Sequence, residues 1–106
     1  MERYNRSASG KLRAEIGRTL MSKWDPIGVR DVPEAADEYD MYIDDMFGLL
    51  NRHATAAEIT RYLIWVETDR MGLTNQKGEP LLPAEIRSEA VSELQRLSMD
   101  NEDIPC

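Results

Sequence analysis

The residues of this chain that could carry chemistry are mainly carboxylates, because the usual partners for nucleophilic catalysis are scarce. The 106 residues include one histidine, His53, and one cysteine, Cys106, at the last position. A nucleophilic site needs a hydroxyl or thiol activated by a nearby base, and His53 falls in a loop between two predicted helices. The glycines form neither a phosphate-binding loop nor a dinucleotide fingerprint. The sequence therefore assigns no catalytic residue and favours a protein that is not an enzyme.

Metal chemistry has equally little support. A transition-metal site would need several histidine or cysteine ligands, and the chain has one of each. A hard cation such as calcium takes six or more oxygen ligands. The nearest carboxylates, Asp37, Asp40 and Asp44, are predicted to share one convex helical face, where three side chains rarely converge on one ion. The sequence predicts no metal and no other cofactor.

The densest group of charges is an acidic segment. Residues 31–45 contain seven carboxylates and no lysine or arginine. Carboxylates one helical turn apart repel one another, so we expect them to face water or a positively charged partner. A predicted second helix, from about Pro33 to Asn51, would place them on its outer face. The predicted partner-binding residues are Asp25, Asp37, Glu38, Asp40, Tyr42 and Asp44.

Two carboxylates, Asp25 and Glu67, are candidates for a cleft between helices. Asp25 begins a predicted type I turn with Pro26 and Gly28, in which its side chain would accept hydrogen bonds from backbone amides. Glu67 borders the inner stripe of the predicted third helix. If both carboxylates face one pocket, they form a ligand site or an active site. If each pairs with a base, such as Arg70 with Asp25, they are structural, and the sequence leaves both alternatives open.

The elements that must position these residues are four predicted helices, because apolar residues recur at helical spacing and no stretch alternates as a strand does. Gly17, in the first helix, is expected at a close helix contact. Thr55 and Glu58 form a capping box that opens the third helix, and Gly72 is expected to end it in a left-handed conformation. The predicted inner positions are Leu12, Ile16, Leu20 and Trp24 in the first helix, Ala35, Tyr39, Tyr42, Ile43, Met46, Leu49 and Leu50 in the second, Ile59, Tyr62, Leu63 and Val66 in the third, and Ile86, Ala90, Leu94 and Leu97 in the fourth.

This pattern predicts an all-α fold, a small four-helix bundle that is mostly antiparallel and has short loops. A chain of this length forms a single domain around one core, with residues 1–7 and 100–106 expected to be a flexible arm and tail. Ile64 and Trp65 fall outside the inner stripe of the third helix. They are either covered by other parts of the chain or available as an apolar contact, which would join two copies in a homodimer.

The net charge narrows the choice of partner. It is −7 in total, with six bases and two acids in residues 1–24 (+4) and seven bases and eighteen acids in residues 25–106 (−11). Residues 25–106 are acidic enough to repel the phosphate backbones of nucleic acids. The charge therefore predicts a basic protein partner and no nucleic acid. No apolar run approaches the roughly 20 residues of a membrane helix, and a lone cysteine fits a reducing compartment. We expect a cytoplasmic protein with no membrane partner.

Several of these motifs together resemble the YugE-like family of short bacterial proteins of unknown function. The likeness covers about residues 20–73 and implies a compact helical bundle with no established activity, substrate or cofactor; it transfers no catalytic residue. The acidic segment is also similar to the surface with which four-helix immunity proteins of the colicin-nuclease type hold basic nucleases, an architectural analogy. The motifs that resemble the YugE-like family are Trp24–Val29, Asp37-Glu38-Tyr39-Asp40-x-Tyr42, Glu58-Ile59, Tyr62-Leu63, Glu67 and Met71-Gly72-Leu73.

The residues favour a non-enzymatic interaction module that binds a basic protein partner through its acidic second helix, with complementary charge setting the rate and specificity of association. One alternative is a small-ligand binder or an enzyme that uses carboxylates in an interhelical cleft. The other is a structural homodimer joined through Ile64 and Trp65. The carboxylates of the first alternative are Asp25, Glu38, Asp40 and Glu67.

Overall fold

The structure, a computed structural model, describes the backbone of residues 2–100 and the side chains of residues 10–98. Four α-helices account for most of this range: α1 at Glu2–Thr19, α2 at Ile43–Asn51, α3 at Ala56–Trp65 and α4 at Ala84–Asp100. The first and third helices each continue into a wider π turn, at Leu20–Trp24 and Val66–Arg70. Within residues 2–100 the β structure is limited to one bridge between Thr74 and Pro80. The predicted all-α, four-helix fold is confirmed.

The helices enclose a single core. The helix α4 packs against the end of α1, against α3 and against α2, and α1 also packs on α2. A Cβ atom placed on Gly17 of α1 would lie 3.1 Å from Cδ1 of Ile43 in α2, which confirms that this glycine marks a close helix contact. Of the predicted arm, residues 1–7, the backbone of residues 2–7 belongs to α1. The predicted tail, residues 100–106, begins at the last residue of α4, and residues 1 and 101–106 lie outside the described residues.

The inner stripe of α1 is confirmed, and the π turn explains how it continues. Leu12, Ile16, Leu20 and Trp24 are all buried. A repeat of four residues exceeds the 3.6 residues of an α-helical turn, so the stripe would rotate by about 40° at each step. The π turn holds more residues per turn than an α-helix, and it returns Trp24 to the face that carries Leu20.

The predicted second helix is wrong in its first half. Residues 33–42 form two short 3₁₀ turns, at Pro33–Ala35 and Asp40–Tyr42, and the regular helix begins only at Ile43. The 3₁₀ geometry lets Tyr39 and Tyr42 both reach the Trp24 ring, at centroid distances of 5.4 Å and 6.4 Å. Repulsion among the acids also opposes a regular helix here. The acidic residues therefore do not share one helical face.

The inner face of α4 differs by one residue from the prediction. Ile86 is 40 % exposed, whereas Arg87 and Val91 are buried along with the predicted Ala90, Leu94 and Leu97. The shift has a physical reason, because Arg87 turns inward to form an ion pair with the buried Glu67.

The signals at the ends of α3 are confirmed. The Thr55 hydroxyl accepts a hydrogen bond from the Glu58 amide at 3.1 Å, and the Glu58 carboxylate accepts one from the Thr55 amide at 2.8 Å. Gly72 has a positive φ of 68°, and the Leu73 amide donates to the Glu67 carbonyl at 2.8 Å. Within the described residues, no helix is both long enough and apolar enough to cross a membrane.

Candidate functional site

Glu67 is an ion-pair partner inside the core. Its residue is 0 % exposed, and one carboxylate oxygen, Oε2, accepts hydrogen bonds from Trp24 Nε1 at 2.7 Å and from Arg87 Nε at 2.9 Å. The other oxygen accepts a bond of 2.5 Å from Arg87 Nη2. Arg87 Nη2 also donates to the Leu82 carbonyl at 3.2 Å. The charges are thus paired in a fork geometry and closed off from water.

Three elements must meet to bring together this ion pair and the Trp24 side chain that donates to it. Trp24 ends the π turn that follows α1, Glu67 lies in the π turn that follows α3, and Arg87 lies in the first turns of α4. Along α3 and the π turn that follows it, Ile59, Leu63 and Glu67 are spaced by four residues, and all three are fully buried. The π turn carries this spacing onto the core side, so Glu67 lies within the stripe that it was expected to border.

Asp25 is the centre of a second, separate network. Its side chain is 2 % exposed and its backbone is left-handed, with φ of 34°. The Gly28 amide donates to the Asp25 carbonyl at 3.2 Å, which closes the predicted turn. The carboxylate accepts hydrogen bonds from the backbone amides of Val29 and Arg30 at 2.8 and 3.2 Å, from Arg30 Nε at 3.0 Å, and from the Tyr39 hydroxyl at 2.7 Å. The prediction that this side chain accepts from backbone amides is confirmed.

The hydrogen bonds decide the protonation of this network. Burial by itself would raise the pKa of Asp25, but the bonds from Tyr39, Val29 and Arg30 together outweigh it and leave the pKa below its ordinary value. Burial and the bond to Asp25 raise the pKa of Tyr39 well above the ordinary value of a phenol. At neutral pH the pair is therefore a carboxylate that accepts from a neutral phenol.

The two carboxylates lie in one connected interior but do not form an open site. The Tyr39 ring contacts the Trp24 ring, so the two networks meet through these aromatic side chains. Asp25 pairs with Arg30 and Glu67 pairs with Arg87, while the Arg70 guanidinium lies 5.9 Å from the centre of the Trp65 ring. Each carboxylate is saturated by donors of this chain, so the geometry lends no support to a cleft with two reactive acids.

The predicted partner-binding residues divide into an exposed group and an interior group. Tyr42 is buried with its ring edge-on to Trp24, and Asp25 is internal. The other four, Asp37, Glu38, Asp40 and Asp44, are exposed. Asp44 already pairs with Arg13 of α1. The available part of the acidic surface is therefore Asp37, Glu38 and Asp40, which lie in the irregular segment at residues 33–42.

A depression of 480 Å³ adjoins these acids. Glu38 and Asp69 contribute carboxylates to its lining, and Ile27 and Met41 contribute apolar side chains. Met41 is 65 % exposed, the highest value among the exposed large apolar side chains that the structure describes. The predicted site residues include neither Met41 nor Asp69, although an apolar residue within an acidic segment is a signal that could have identified Met41.

The predicted apolar contact is only partly exposed. Trp65 is 44 % exposed, and its ring packs on Tyr62 with a centroid distance of 6.0 Å. Ile64 is half-buried. The Tyr62 hydroxyl donates to Asp45 at 2.8 Å, so this aromatic pair is anchored to α2. Because Arg70 lies over Trp65 and also lines the depression, the two surfaces are continuous.

Within the side chains that the structure describes, no group of three or more histidine, cysteine or acidic residues is arranged to hold a metal ion. No protein-family model, curated protein or solved structure matches the chain.

Proposed function

We propose that this protein is a non-enzymatic interaction module that binds a basic protein partner. The observation that carries the proposal is the depression in which two carboxylates, of Glu38 and Asp69, outnumber one guanidinium, of Arg70, beside the exposed side chains of Ile27 and Met41. A buried apolar contact inside a charged rim is the usual anatomy of a protein interface. The exposed acids Asp37 and Asp40 extend the negative charge along the same segment.

The charge pattern identifies the chemistry of the partner. Among the described side chains, Asp37, Glu38 and Asp40 form no ion pair, so their charge is available for long-range attraction. Such attraction accelerates association with a basic surface and weakens as salt screens it. A lysine or arginine of the partner would meet Glu38 and Asp69, while an apolar neighbour would cover Met41.

The sealed carboxylates favour binding over catalysis. Asp25 and Glu67 are consumed by hydrogen bonds that hold the fold together, and no acid or base is presented to a substrate by either of them. The resemblance to the YugE-like family adds a bacterial setting to this proposal, and the single cysteine is the reason for proposing a cytoplasmic one. A role similar to that of an immunity protein fits the same surface by analogy.

The test compares two variants with equal charge change. In the acidic-surface variant, Asp37→Asn, Glu38→Gln and Asp40→Asn are combined; in the control, Glu79→Gln, Glu85→Gln and Glu89→Gln remove three exposed acids elsewhere. Each is used as bait in native lysate at low and at high salt, with quantitative identification of the bound proteins. At low salt, we expect wild type and the control to retain basic proteins that the acidic-surface variant does not retain. Equal retention by both variants would contradict the proposal.

A homodimer is the second candidate, favoured by the exposure of Trp65. Its indole lies next to Tyr62 and beneath Arg70, so an apolar ring and a guanidinium are presented together. In a two-fold contact the same patch meets itself, and Ile64 would lie at its edge. This candidate uses the surface beside the depression.

A further inference from the structure

A second concave surface lies between α1 and the segment that follows Arg30. This groove has a volume of 700 Å³. Five residues form its apolar part: Ala14, Gly17, Met21, Ala36 and Ile43. Because Gly17 has no side chain, Ile43 packs closely against α1 at this point; a Cβ on Gly17 would lie 3.1 Å from Ile43 Cδ1.

The groove brings three arginines together. The guanidinium groups of Arg13, Arg18 and Arg30 line it with two carboxylates, of Asp31 and Asp40, and two of these arginines pair with acids, Arg13 with Asp44 and Arg30 with Asp25. Arg13 is engaged with Asp44 and lies 4.4 Å from the centre of the Phe47 ring. Arg18 has no ion-pair partner among the described side chains. Concave surfaces concentrate such charge on a bound ligand.

Arg30 is held in place by the buried Asp25 network. Its Nε donates to the Asp25 carboxylate at 3.0 Å, and its backbone amide donates to the same oxygen at 3.2 Å. The side chain is nevertheless 52 % exposed, and its two Nη groups form no hydrogen bond with the described residues. A guanidinium that is fixed by one edge and open at the other loses little freedom when it binds an anion.

We propose that this groove binds an amphipathic organic anion. Its carboxylate or phosphate group accepts hydrogen bonds from Arg18 and Arg30, and its apolar body lies on Ala14, Met21 and Ile43. Arginine suits both headgroups because its planar fork matches their oxygen atoms. The Asp25 network therefore orients Arg30, one of the two recognition groups, in addition to stabilising the fold.

The first experiment uses a matched pair of fluorescent probes. Anilinonaphthalene sulfonate carries an apolar ring system and one anionic group, and N-phenylnaphthylamine carries the same rings without the charge. We expect the sulfonate to bind the folded protein and the neutral probe to bind much more weakly. Arg18→Gln and Arg30→Gln should each weaken sulfonate binding about tenfold, as expected for one charge-assisted hydrogen bond. Lys23→Gln removes an exposed base outside the groove and serves as the control.

Competition identifies the headgroup. Octanoate and octyl phosphate should displace the sulfonate probe, and the stronger competitor shows whether a carboxylate or a phosphate is preferred; octanol should not displace it. Ala14→Trp should fill the groove and abolish binding, while Ala57→Trp, at an exposed position of α3, should not. In amide NMR spectra, the probe should shift the signals of Ala14, Gly17 and Met21.

Three results would overturn the inference. One is equal affinity for the charged and neutral probes. Another is sulfonate binding that Arg18→Gln and Arg30→Gln leave as strong as in the Lys23→Gln control. The third is a set of shifted signals at Ile27 and Met41 instead of the groove, which would place the probe in the acidic depression.

Discussion

At the scale of single residues, the most unusual group is the Glu67 carboxylate. A charge without solvent exposure is costly unless it is paired and hydrogen-bonded, and Glu67 meets both conditions through Arg87 and Trp24. The pair is not by itself a net gain over well-packed apolar residues. We infer that the pair contributes to specificity, because the observed docking of α4 is the one that brings Arg87 to this carboxylate.

Removing one member of this ion pair should be much more damaging than removing both. Glu67→Gln leaves the Arg87 guanidinium buried without its counter-charge, and we expect the free energy of unfolding to fall by about 3–5 kcal/mol. The double variant Glu67→Leu, Arg87→Met should regain part of this loss, because it removes the unpaired charge but leaves the buried Trp24 Nε1 without its acceptor. Urea denaturation measures both.

The control for this prediction is the exposed ion pair of the same helix. Glu93 pairs with Arg96 on α4 with a 2.6 Å contact, and exposed pairs contribute at most about 1 kcal/mol. Glu93→Gln should therefore have little effect. Equal losses in Glu67→Gln and Glu93→Gln would show that the interior pair has no special role.

The Asp25 network should make stability depend on acid pH. Because hydrogen bonds hold the pKa of Asp25 below its unfolded value of about 3.9, the folded state binds fewer protons than the unfolded state. The stabilising effect of the Asp25 network is therefore complete above the unfolded pKa and is lost as the pH falls through the folded pKa. Wild type should exceed Asp25→Asn in stability at neutral pH, and the difference should shrink below about pH 4.

This pH dependence is measured by urea denaturation at a series of pH values. Asp31→Asn, at an exposed neighbouring position, is the matched control and should have little effect on stability. A gap between wild type and Asp25→Asn that stays constant down to the acid limit would mean that the variant acts by altered packing and not through the charge of Asp25.

At the scale of elements, the four-residue spacings explain both π turns. Residues at positions 12, 16, 20 and 24 lie on one buried face, as do those at positions 59, 63 and 67. A regular α-helix would carry the last member of each series away from the core. Each π turn instead keeps it inside, and the last members, Trp24 and Glu67, are the two residues that hydrogen-bond to each other.

The beginning of α3 offers a direct test of a local element. Thr55→Ala removes the hydroxyl that accepts from the Glu58 amide, and we expect a loss of about 1 kcal/mol in the free energy of unfolding. Thr55→Ser keeps the hydroxyl and should retain most of the stability. If both variants lose the same amount in urea denaturation, the effect comes from the threonine methyl group and not from the cap.

At the scale of the whole molecule, two concave surfaces of opposite character share one irregular segment. Glu38 and Met41 line the acidic depression, whereas Arg30, Asp31 and Asp40 line the arginine-bearing groove. Had residues 33–42 continued α2, neither surface would have this lining. The departure from helical geometry is thus the feature on which both proposals depend.

The homodimer proposal is tested by sedimentation equilibrium over a wide range of protein concentration. A contact through Trp65 predicts a concentration-dependent dimer that Trp65→Glu dissociates, because a charge would be buried against the partner copy. Ile86→Glu changes an exposed apolar residue of α4 and should leave the dimer intact. A monomer at every concentration would reject the homodimer and leave Trp65 available to a different partner.

The sequence by itself determined the features that depend on neighbouring residues. The capping box, the left-handed Gly72 and the Asp25 turn all arise from hydrogen bonds between groups a few residues apart, so their motifs are visible in the chain. Helical periodicity likewise identified the all-α fold and the buried stripe of α1, because a stripe must face a core wherever its helix docks.

Only the tertiary structure decided which charges meet. Glu67 bonds to Trp24 and Arg87, which are 43 and 20 residues away along the chain, and the sequence suggested Arg70 and not Arg30 for Asp25. The burial of Arg87 in place of Ile86 on α4 and the 3₁₀ turns before α2 have the same origin. The buried carboxylate of Glu67 and the rings of Tyr39 and Tyr42 find their partners only where helix docking brings a matching group within hydrogen-bond or ring-contact distance. These tertiary contacts override the local preference of the backbone.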